Sequence, residues 1–326
     1  MPTAGDYLDS VDEGQDGCLV IRDALRQGDP VLIARLGFCE ARCLGYWMRW
    51  RDRATVPLPF PRIVRRDMHL NAGFFPADDE YLDRFAQRFG DAVSGSDVMG
   101  VWRAIEGEHQ ILKRYCPGAR LVGAGAISEP AMLMYPEPWT AELASRTVLV
   151  VHPFAKSIEQ QYRENRTKLF ANPQVLPAFD LKTLKAVQSI AGSDSGYGTW
   201  FDALDHMCDQ IAHIEYDTAL IGAGAYGLPL AAFVKSQGKQ AVHMGGLTQA
   251  LFGIRGRRWE TEYASTTAGL FNEHWVRPLP EETPERAGSI ENGATGSRPA
   301  ACRIPAALAR RFGNAAMSAP CARQSG

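Results

Sequence analysis

Three polar residues each stand directly after a short apolar run, and a fourth such run leads into glycines. Arg35, His152 and His243 close the first three runs, and the fourth opens the turn 222–227, GAGAYG. Arginine presents forked N–H donors that fit phosphate, histidine can donate or transfer a proton near neutral pH, and a glycine-rich turn before a helix can hold an anion. The sequence therefore predicts a site for a phosphate-bearing ligand.

The glycines of this turn fit the dinucleotide-binding pattern only in part. Gly222, Gly224 and Gly227 have the G-x-G-x-x-G spacing and stand between a strand and a helix. The full pattern also requires an acidic residue about twenty positions later, which binds the ribose hydroxyls. Residues 241–244, AVHM, supply no carboxylate there, so no NAD is expected. The turn either holds a phosphate through its amides or serves only the close packing of helix on sheet.

A basic cluster lies beside Trp259. Arg255, Arg257 and Arg258 could clamp a diphosphate with their forked donors, and a surface cluster without any ligand is an equally good interpretation. One small cluster in a slightly acidic protein is a poor electrostatic footprint for nucleic acid, so no nucleic-acid partner is expected.

One predicted helix gathers four residues of metal-binding type. Asp202, His206, Asp209 and His213 follow one another at spacings of four, three and four, opposite the apolar stripe of the same helix. A solvated polar face explains this spacing as well as a metal site does.

The apolar runs alternate with helical patterns, which is typical of an α/β fold. Helices are predicted between 97 and 115, from a capping box at Ser157 and Gln160, and from Asp180 onward. Strands are predicted at 31–34, 121–123, 147–151, 220–221 and 241–242. We therefore expect a mostly parallel, Rossmann-like sheet flanked by helices, with ligands beyond the carboxyl ends of the strands.

The composition is that of an ordinary globular chain with a distinct C-terminal end. Its 326 residues are 45% hydrophobic and 22% charged, with a net charge of -2. Seven scattered cysteines without a CxxC pair indicate reduced thiols, and the absence of a secretion signal or membrane span predicts a cytoplasmic protein. The predicted organisation is a flexible acidic leader at 1–16, a single α/β domain at 17–285, and a low-complexity, basic, disordered tail at 286–326.

Several longer segments carry a family resemblance. Residues 34–40, ARLGFCE, resemble the R-x-G-D-G-E segment of bacterial GT-D-type glycosyltransferases, which use nucleotide sugars to build surface glycans and glycoproteins. Four other segments resemble a related group of mostly uncharacterised bacterial proteins from polysaccharide loci: 71–76 (NAGFFP), 148–154 (VLVVHPF), 222–230 (GAGAYGLPL) and 243–259. The resemblance covers most of residues 17–280 and none of the tail.

The resemblance implies a GT-D fold, a nucleotide-sugar donor and a glycan or protein acceptor. In those transferases an Asp-x-Glu pair in the first segment is tied to the nucleotide sugar and its divalent metal, Mn²⁺ or Mg²⁺. Glu40 matches the Glu, but Phe38 stands where the Asp would be. Phenylalanine cannot coordinate a hard cation that takes oxygen ligands, so metal dependence is an open question, and activity with it.

Glu40, His152 and His243 are the candidate bases for the acceptor hydroxyl, and the sequence does not choose among them. The residues expected to contact the nucleotide or sugar are Arg35, Gly37, Gly222, Gly224, Tyr226, Gly227, Gly245, Gly246, Gln249, Arg257 and Arg258. Two other functions are consistent with the sequence: a non-catalytic nucleotide- or sugar-binding protein with a degenerate metal site, and a nicotinamide-dependent oxidoreductase. The donor sugar, the acceptor and the oligomeric state are not predicted.

Overall fold

A seven-stranded, all-parallel sheet forms the centre of the molecule in a computed structural model that describes residues 10–283. The strands lie side by side in the order β3-β2-β1-β7-β6-β4-β5. Their bounds are β1 Leu32–Arg35, β2 Val98–Val101, β3 Arg120–Gly123, β4 Thr147–His152, β5 Asp180–Lys185, β6 Thr218–Ile221 and β7 Gln240–His243. The predicted α/β class and the mostly parallel, Rossmann-like sheet are confirmed.

Twelve helices within the same residues flank the sheet. Their bounds are α1 Gly14–Arg26, α2 Phe38–Trp50, α3 Arg62–Leu70, α4 Asp79–Ser94, α5 Glu108–Tyr115, α6 Gly125–Ser128, α7 Ala155–Asn165, α8 Trp200–Ala212, α9 Gly227–Ser236, α10 Leu247–Leu251, α11 Arg257–Thr261 and α12 Ala264–Thr267.

Each face of the sheet has its own apolar core, because successive strand residues point to opposite faces. In β4, Leu149 and Val151 join the core that contains α2, α4, α8 and α9, whereas Val148 and Val150 join the core that contains α1, α7 and α10. All four side chains are fully buried. This burial on both faces explains why the strand reads as a continuous apolar run.

Two strands were not predicted, and both corrections have a physical reason. Residues 98–101 were assigned to a helix, but these four fully buried residues form β2 between β1 and β3. The helix expected from Asp180 is instead β5, an edge strand that pairs with β4 alone. Leu181 and Leu184 have helical spacing, yet pairing with β4 along all six residues overrides this local preference.

The capping box predicted at Ser157 and Gln160 is wrong. Helix α7 begins at Ala155, and no side-chain cap is present at its N-cap residue. Instead the carboxylate of Glu282 accepts hydrogen bonds from the Lys156 amide at 2.8 Å and the Ser157 amide at 3.0 Å, and the Ser157 hydroxyl donates to it at 2.5 Å. Glu282 is only 3% exposed, so the end of the described chain is anchored at the start of α7.

The folded part begins before residue 17. Helix α1 starts at Gly14, and Asp12 pairs with Val122 beside β3, so part of the predicted leader belongs to the domain. Residues 1–9 and the predicted tail at 286–326 lie outside the described residues. Between residues 10 and 283, no helix combines the length and the apolar character needed to cross a membrane.

Candidate functional site

The ends of four adjacent strands bring the predicted site residues together. Arg35 closes β1, His243 closes β7, Gly222 follows β6, and His152 closes β4. Because these strands are parallel neighbours in the order β1-β7-β6-β4, the four residues follow one another across the carboxyl edge of the sheet. The ligand site predicted beyond the carboxyl ends of the strands would be formed by these four residues.

The chain leaves β4 and β6 toward opposite faces, which makes their junction a topological switch point. After β4 it enters α7, whose Ile158 packs in one core, and after β6 it enters α9, whose Leu228 packs in the other. Ligands of open α/β sheets bind in the crevice that such divergence creates. His152 and Gly222 lie at this point.

Arg35 is held in place on one side and unpaired at its tip. Its Nε donates to the Ser128 hydroxyl at 3.3 Å, and that hydroxyl donates to the Met244 carbonyl at 2.8 Å. The guanidinium lies on Gly245, where a Cβ would come within 1.8 Å of Nη2. Within residues 10–283 its two terminal nitrogens have no hydrogen-bond partner. Arg35 thus offers a fixed pair of charged donors.

Burial lowers the pKa of the Arg35 guanidinium, and the nearby charges of Glu40 and Arg258 act in opposite directions on it. Arginine stays protonated in proteins because its guanidinium is a very strong base. Glu40 raises the pKa of Arg35 and Arg258 lowers it, so both lie within electrostatic reach of Arg35. Three charged groups therefore meet at the end of β1.

Glu40 is a buried carboxyl group at the third position of α2. Its side chain turns back over Gly37, where a Cβ would lie 2.0 Å from Oε2, so any larger residue at position 37 would displace the carboxylate. Burial raises the pKa of Glu40, while Arg35 and the residue's own backbone N–H oppose the rise. A raised pKa brings a carboxylate closer to the range in which a general base works at neutral pH.

Phe38 fills the place of the expected second acid with an aromatic contact. Its ring lies 5.5 Å from that of Trp102, whose indole N–H donates to the Leu36 carbonyl at 2.9 Å. Glu40 is then the one carboxylate of this segment, and in the described part of the chain no three His, Cys, Asp or Glu residues form a group that could hold a metal. This segment therefore presents one carboxylate where the resemblance implies two.

His152 is held as a neutral hydrogen-bond donor. Its Nδ1 accepts from the Phe154 amide at 3.0 Å, so the ring proton is on Nε2. Burial lowers the pKa of His152 to about 3, and the ring stays uncharged at neutral pH. The ring edge lies against Gly222, where a Cβ would come within 2.8 Å of Cδ2. This arrangement favours a donor role at the switch point over the role of a base.

His243 is buried without a hydrogen bond on either ring nitrogen in the described chain. Its ring lies against Gly227, where a Cβ would be 2.4 Å from Nε2. Burial lowers the pKa of His243 well below its ordinary value, the charge of Arg35 lowers it further, and a contact with the Arg35 backbone opposes the fall. A neutral imidazole still has one donor and one acceptor nitrogen, and buried polar groups without partners are rare in proteins. His243 is therefore a neutral, buried ring beside the backbone and the charge of Arg35.

The glycine-rich turn is covered by the protein itself. The Ala225 amide donates to the Ala72 carbonyl at 3.3 Å, and the Tyr226 amide donates to the Ala223 carbonyl at 3.1 Å. The Tyr226 ring stacks on Trp200 at 4.9 Å in the core. A Cβ on Gly222 would come within 2.6 Å of the Gly245 carbonyl oxygen. These contacts favour the packing explanation of the glycines over the phosphate explanation.

The segment after β7 brings one arginine of the basic cluster to the site. Arg258 lies near Gly246, where a Cβ would be 3.9 Å from its Nη1, and its Nε is 3.6 Å from Glu262. Arg257 is the first residue of α11 and is exposed. Gln249 donates to the Ile254 carbonyl at 3.4 Å, so it closes its own loop.

Two of the four metal-type residues on and just after α8 have other roles. Asp202 forms a capping box with Thr199, and the Nδ1 of His213 bonds to the Asp209 carbonyl at 2.7 Å. A shallow groove of about 430 Å³ runs past His206 on this helix. The solvated-face interpretation accounts for these contacts.

Two buried residues of the site were not predicted. Ser128 joins Arg35 to the Met244 carbonyl, and the Thr248 hydroxyl bonds to the Gly245 carbonyl at 2.9 Å beside Gly222. Neither stands in a pattern that marks a site. The one available signal for Ser128 was its position shortly after the glycines that end β3.

Comparison with known proteins returned no match: no family model, no curated protein and no solved structure is similar to this chain.

Proposed function

We propose that the carboxyl edge of the sheet binds a nucleotide sugar and that the chain is a glycosyltransferase. The observation that carries this proposal is the Arg35 guanidinium, fixed by Ser128 and Gly245 at the centre of the sheet with both terminal nitrogens unpaired in the described chain. A half-buried fork of charged donors suits a diphosphate. Arg258 supplies a second positive charge within reach.

In the proposed reaction, the acceptor hydroxyl attacks the anomeric carbon of the sugar while the bond from that carbon to the diphosphate oxygen breaks. Negative charge then grows on the leaving diphosphate, and Arg35 and Arg258 offset it. The acceptor is a hydroxyl of a glycan or a protein. Its proton passes to Glu40 or His243, and the raised pKa of Glu40 favours the carboxylate. His152 donates a hydrogen bond from Nε2.

A thermal-shift screen tests this proposal. The full chain is heated with UDP-, GDP-, CMP- and dTDP-sugars, each with Mn²⁺ and with a chelator. A ligand present at a hundred times its dissociation constant adds about 2.7 kcal/mol of stability. We expect at least one nucleotide sugar to raise the melting temperature, and Arg35→Ala to weaken that ligand at least tenfold because charge-assisted bonds contribute about 1.5–3 kcal/mol. Arg49→Ala removes an exposed arginine of α2 and serves as the matched control. If no nucleotide sugar shifts the transition, the proposal fails.

Binding without turnover is the second candidate, and Phe38 is the observation that favours it. Its ring occupies the place of a metal-binding acid and packs on Trp102. Phe38→Asp restores the acid, and hydrolysis of the bound nucleotide sugar is then measured with Mn²⁺. A gain of turnover over wild type indicates a transferase whose metal site has decayed. Turnover by the wild-type chain itself excludes the binding-only function.

A further inference from the structure

A second cavity at the carboxyl side of the sheet has no assigned role. It holds about 190 Å³ and lies between the end of α3, the segment 71–76 and the loop 186–199 that follows β5. The residues that give it chemical character are His69, Phe75, Ser189, Ser193, Asp194 and Tyr197. This volume has room for several water molecules or one small ring.

This cavity shares a wall with the turn of the edge site. The Ser189 hydroxyl donates to the Gly73 carbonyl at 2.6 Å and lies 3.3 Å from the Tyr226 hydroxyl. Tyr226 belongs to the glycine-rich turn that follows β6, and Ala72 covers the same turn. The cavity is therefore next to the switch point, behind the turn.

The unpaired polar atoms of the cavity include acceptors of His69 and Asp194 and hydroxyl groups that can also donate. The Nδ1 of His69 lies 3.3 Å from the Phe74 carbonyl, so in the neutral ring Nδ1 bears the proton and Nε2 keeps a lone pair. Asp194 uses Oδ1 to accept from the Gly196 amide at 2.9 Å, and its second oxygen has no partner among residues 10–283. The Tyr197 hydroxyl likewise has none there and can donate or accept.

These groups suit a polyhydroxylated ligand. The carboxylate of Asp194 repels phosphate and accepts from hydroxyl groups, as His69 does through Nε2. Phe75 and Tyr197 add aromatic rings against which the C–H groups of a sugar ring can pack, and tyrosine also presents a polar edge. Acceptors beside aromatic rings, in a space of this size, match one sugar ring with its hydroxyls.

We propose that this cavity binds one sugar ring of the acceptor glycan. The assignment of that ring to an acceptor rests on the proposed glycosyltransferase function, whereas the binding of the sugar itself does not. The edge site then holds the nucleotide sugar, and the cavity holds the acceptor on the other side of the Gly222–Tyr226 turn.

The test is titration of the full chain with methyl glycosides of glucose, galactose, mannose and N-acetylglucosamine, followed by saturation-transfer NMR. We expect saturable binding of at least one glycoside, weakened at least tenfold by Asp194→Asn and by Tyr197→Ala. Both residues are at least partly exposed, and unchanged melting temperatures confirm that the variants fold. Asp205→Asn makes the same charge change at an exposed site on α8 and should bind as wild type does.

Three results overturn the proposal: no glycoside binds saturably, binding ignores both variants, or choline displaces the glycoside and binds more tightly, which shows a cation site. Arg35→Ala separates this proposal from the edge-site function. It should lose nucleotide-sugar binding and keep glycoside binding. If the nucleotide sugars fail while the glycosides bind in an Asp194-dependent manner, the edge function fails and the sugar cavity holds.

Discussion

Replacing Glu282 by alanine should destabilise the whole domain, although the residue stands at the end of the described chain. Its carboxylate accepts three hydrogen bonds, from two backbone amides at the start of α7 and from the Ser157 hydroxyl. Glu282 is 3% exposed, so its removal leaves donors that are poorly reached by water. Each buried donor without a partner costs about 1–3 kcal/mol, and partial hydration of the helix end reduces the sum. We expect a loss of about 2–4 kcal/mol in the free energy of unfolding.

Urea denaturation of three variants checks this value. Glu281→Ala is the matched control, because Glu281 is the same residue type, is exposed, and lies 3.9 Å from the Lys156 ammonium. A surface pair of this kind contributes about 0–1 kcal/mol. Glu282→Gln keeps one acceptor oxygen but turns an NH₂ group toward the remaining donors. Its loss in the free energy of unfolding should therefore be more than half of the loss in Glu282→Ala. If Glu282→Ala and Glu281→Ala unfold within about 0.5 kcal/mol of each other, the anchoring role assigned to Glu282 is refuted.

Three further predictions concern other parts of the chain. Gly227→Ala should lower the free energy of unfolding by about 1–3 kcal/mol, because its Cβ would come within 2.4 Å of the His243 ring. Gly45→Ala should raise it by about 0.5–1 kcal/mol, because Gly45 lies in a helix and its Cβ would meet open space. Thermal denaturation of both variants measures the two changes. Burial raises the pKa of Glu108 to about 7 from 4.5, although two backbone N–H groups oppose the rise. Its stabilising contribution is therefore complete below pH 4.5 and is lost as the pH rises through 7, by about 3 kcal/mol at most. Glu108→Gln should flatten this slope, and parallel pH curves for the two proteins would contradict it. Ligand affinity that depends on His152 should stay constant between pH 5 and 8, because burial lowers the pKa of His152 to about 3. An inflection of the affinity near pH 6.5 that disappears in His152→Asn would contradict this prediction.

Of the strands buried on both faces, the sequence predicts β4 and misses β2, and of the two edge strands it predicts β3 and misses β5. The run 147–151 can be recognised as β4 because four adjacent apolar residues fit no amphipathic helix. In β5, Leu181 and Leu184 stand three apart among lysines, which is the spacing of a helix face. Only the pairing with β4 makes this segment a strand, and that partner lies about 30 residues earlier in the chain.

The row of site residues at the carboxyl edge could be predicted, because parallel strands end on the same side. Whether the amides of the glycine-rich turn are free to bind a ligand could not be predicted. Its amides are occupied partly by the Ala72 carbonyl, and no local pattern reveals a contact across about 150 residues. Glu282 is a similar case, since the donors of α7 lie 125 and 126 positions before it. Long-range hydrogen bonds of this kind decide which polar groups are left for a ligand.

The order of the strands also constrains how the chain folds during synthesis. β1 and β7 are direct neighbours at the centre of the sheet, and Ile33 pairs with Val242. At a synthesis rate of about 5–20 residues per second, roughly 10–40 s pass between the appearance of these two strands. During that time β1 has an unpaired apolar edge, which is the kind of surface that chaperones bind and that aggregates when left uncovered. Nascent chains that stop before residue 240 should therefore associate with chaperones, and completion of β7 should release them.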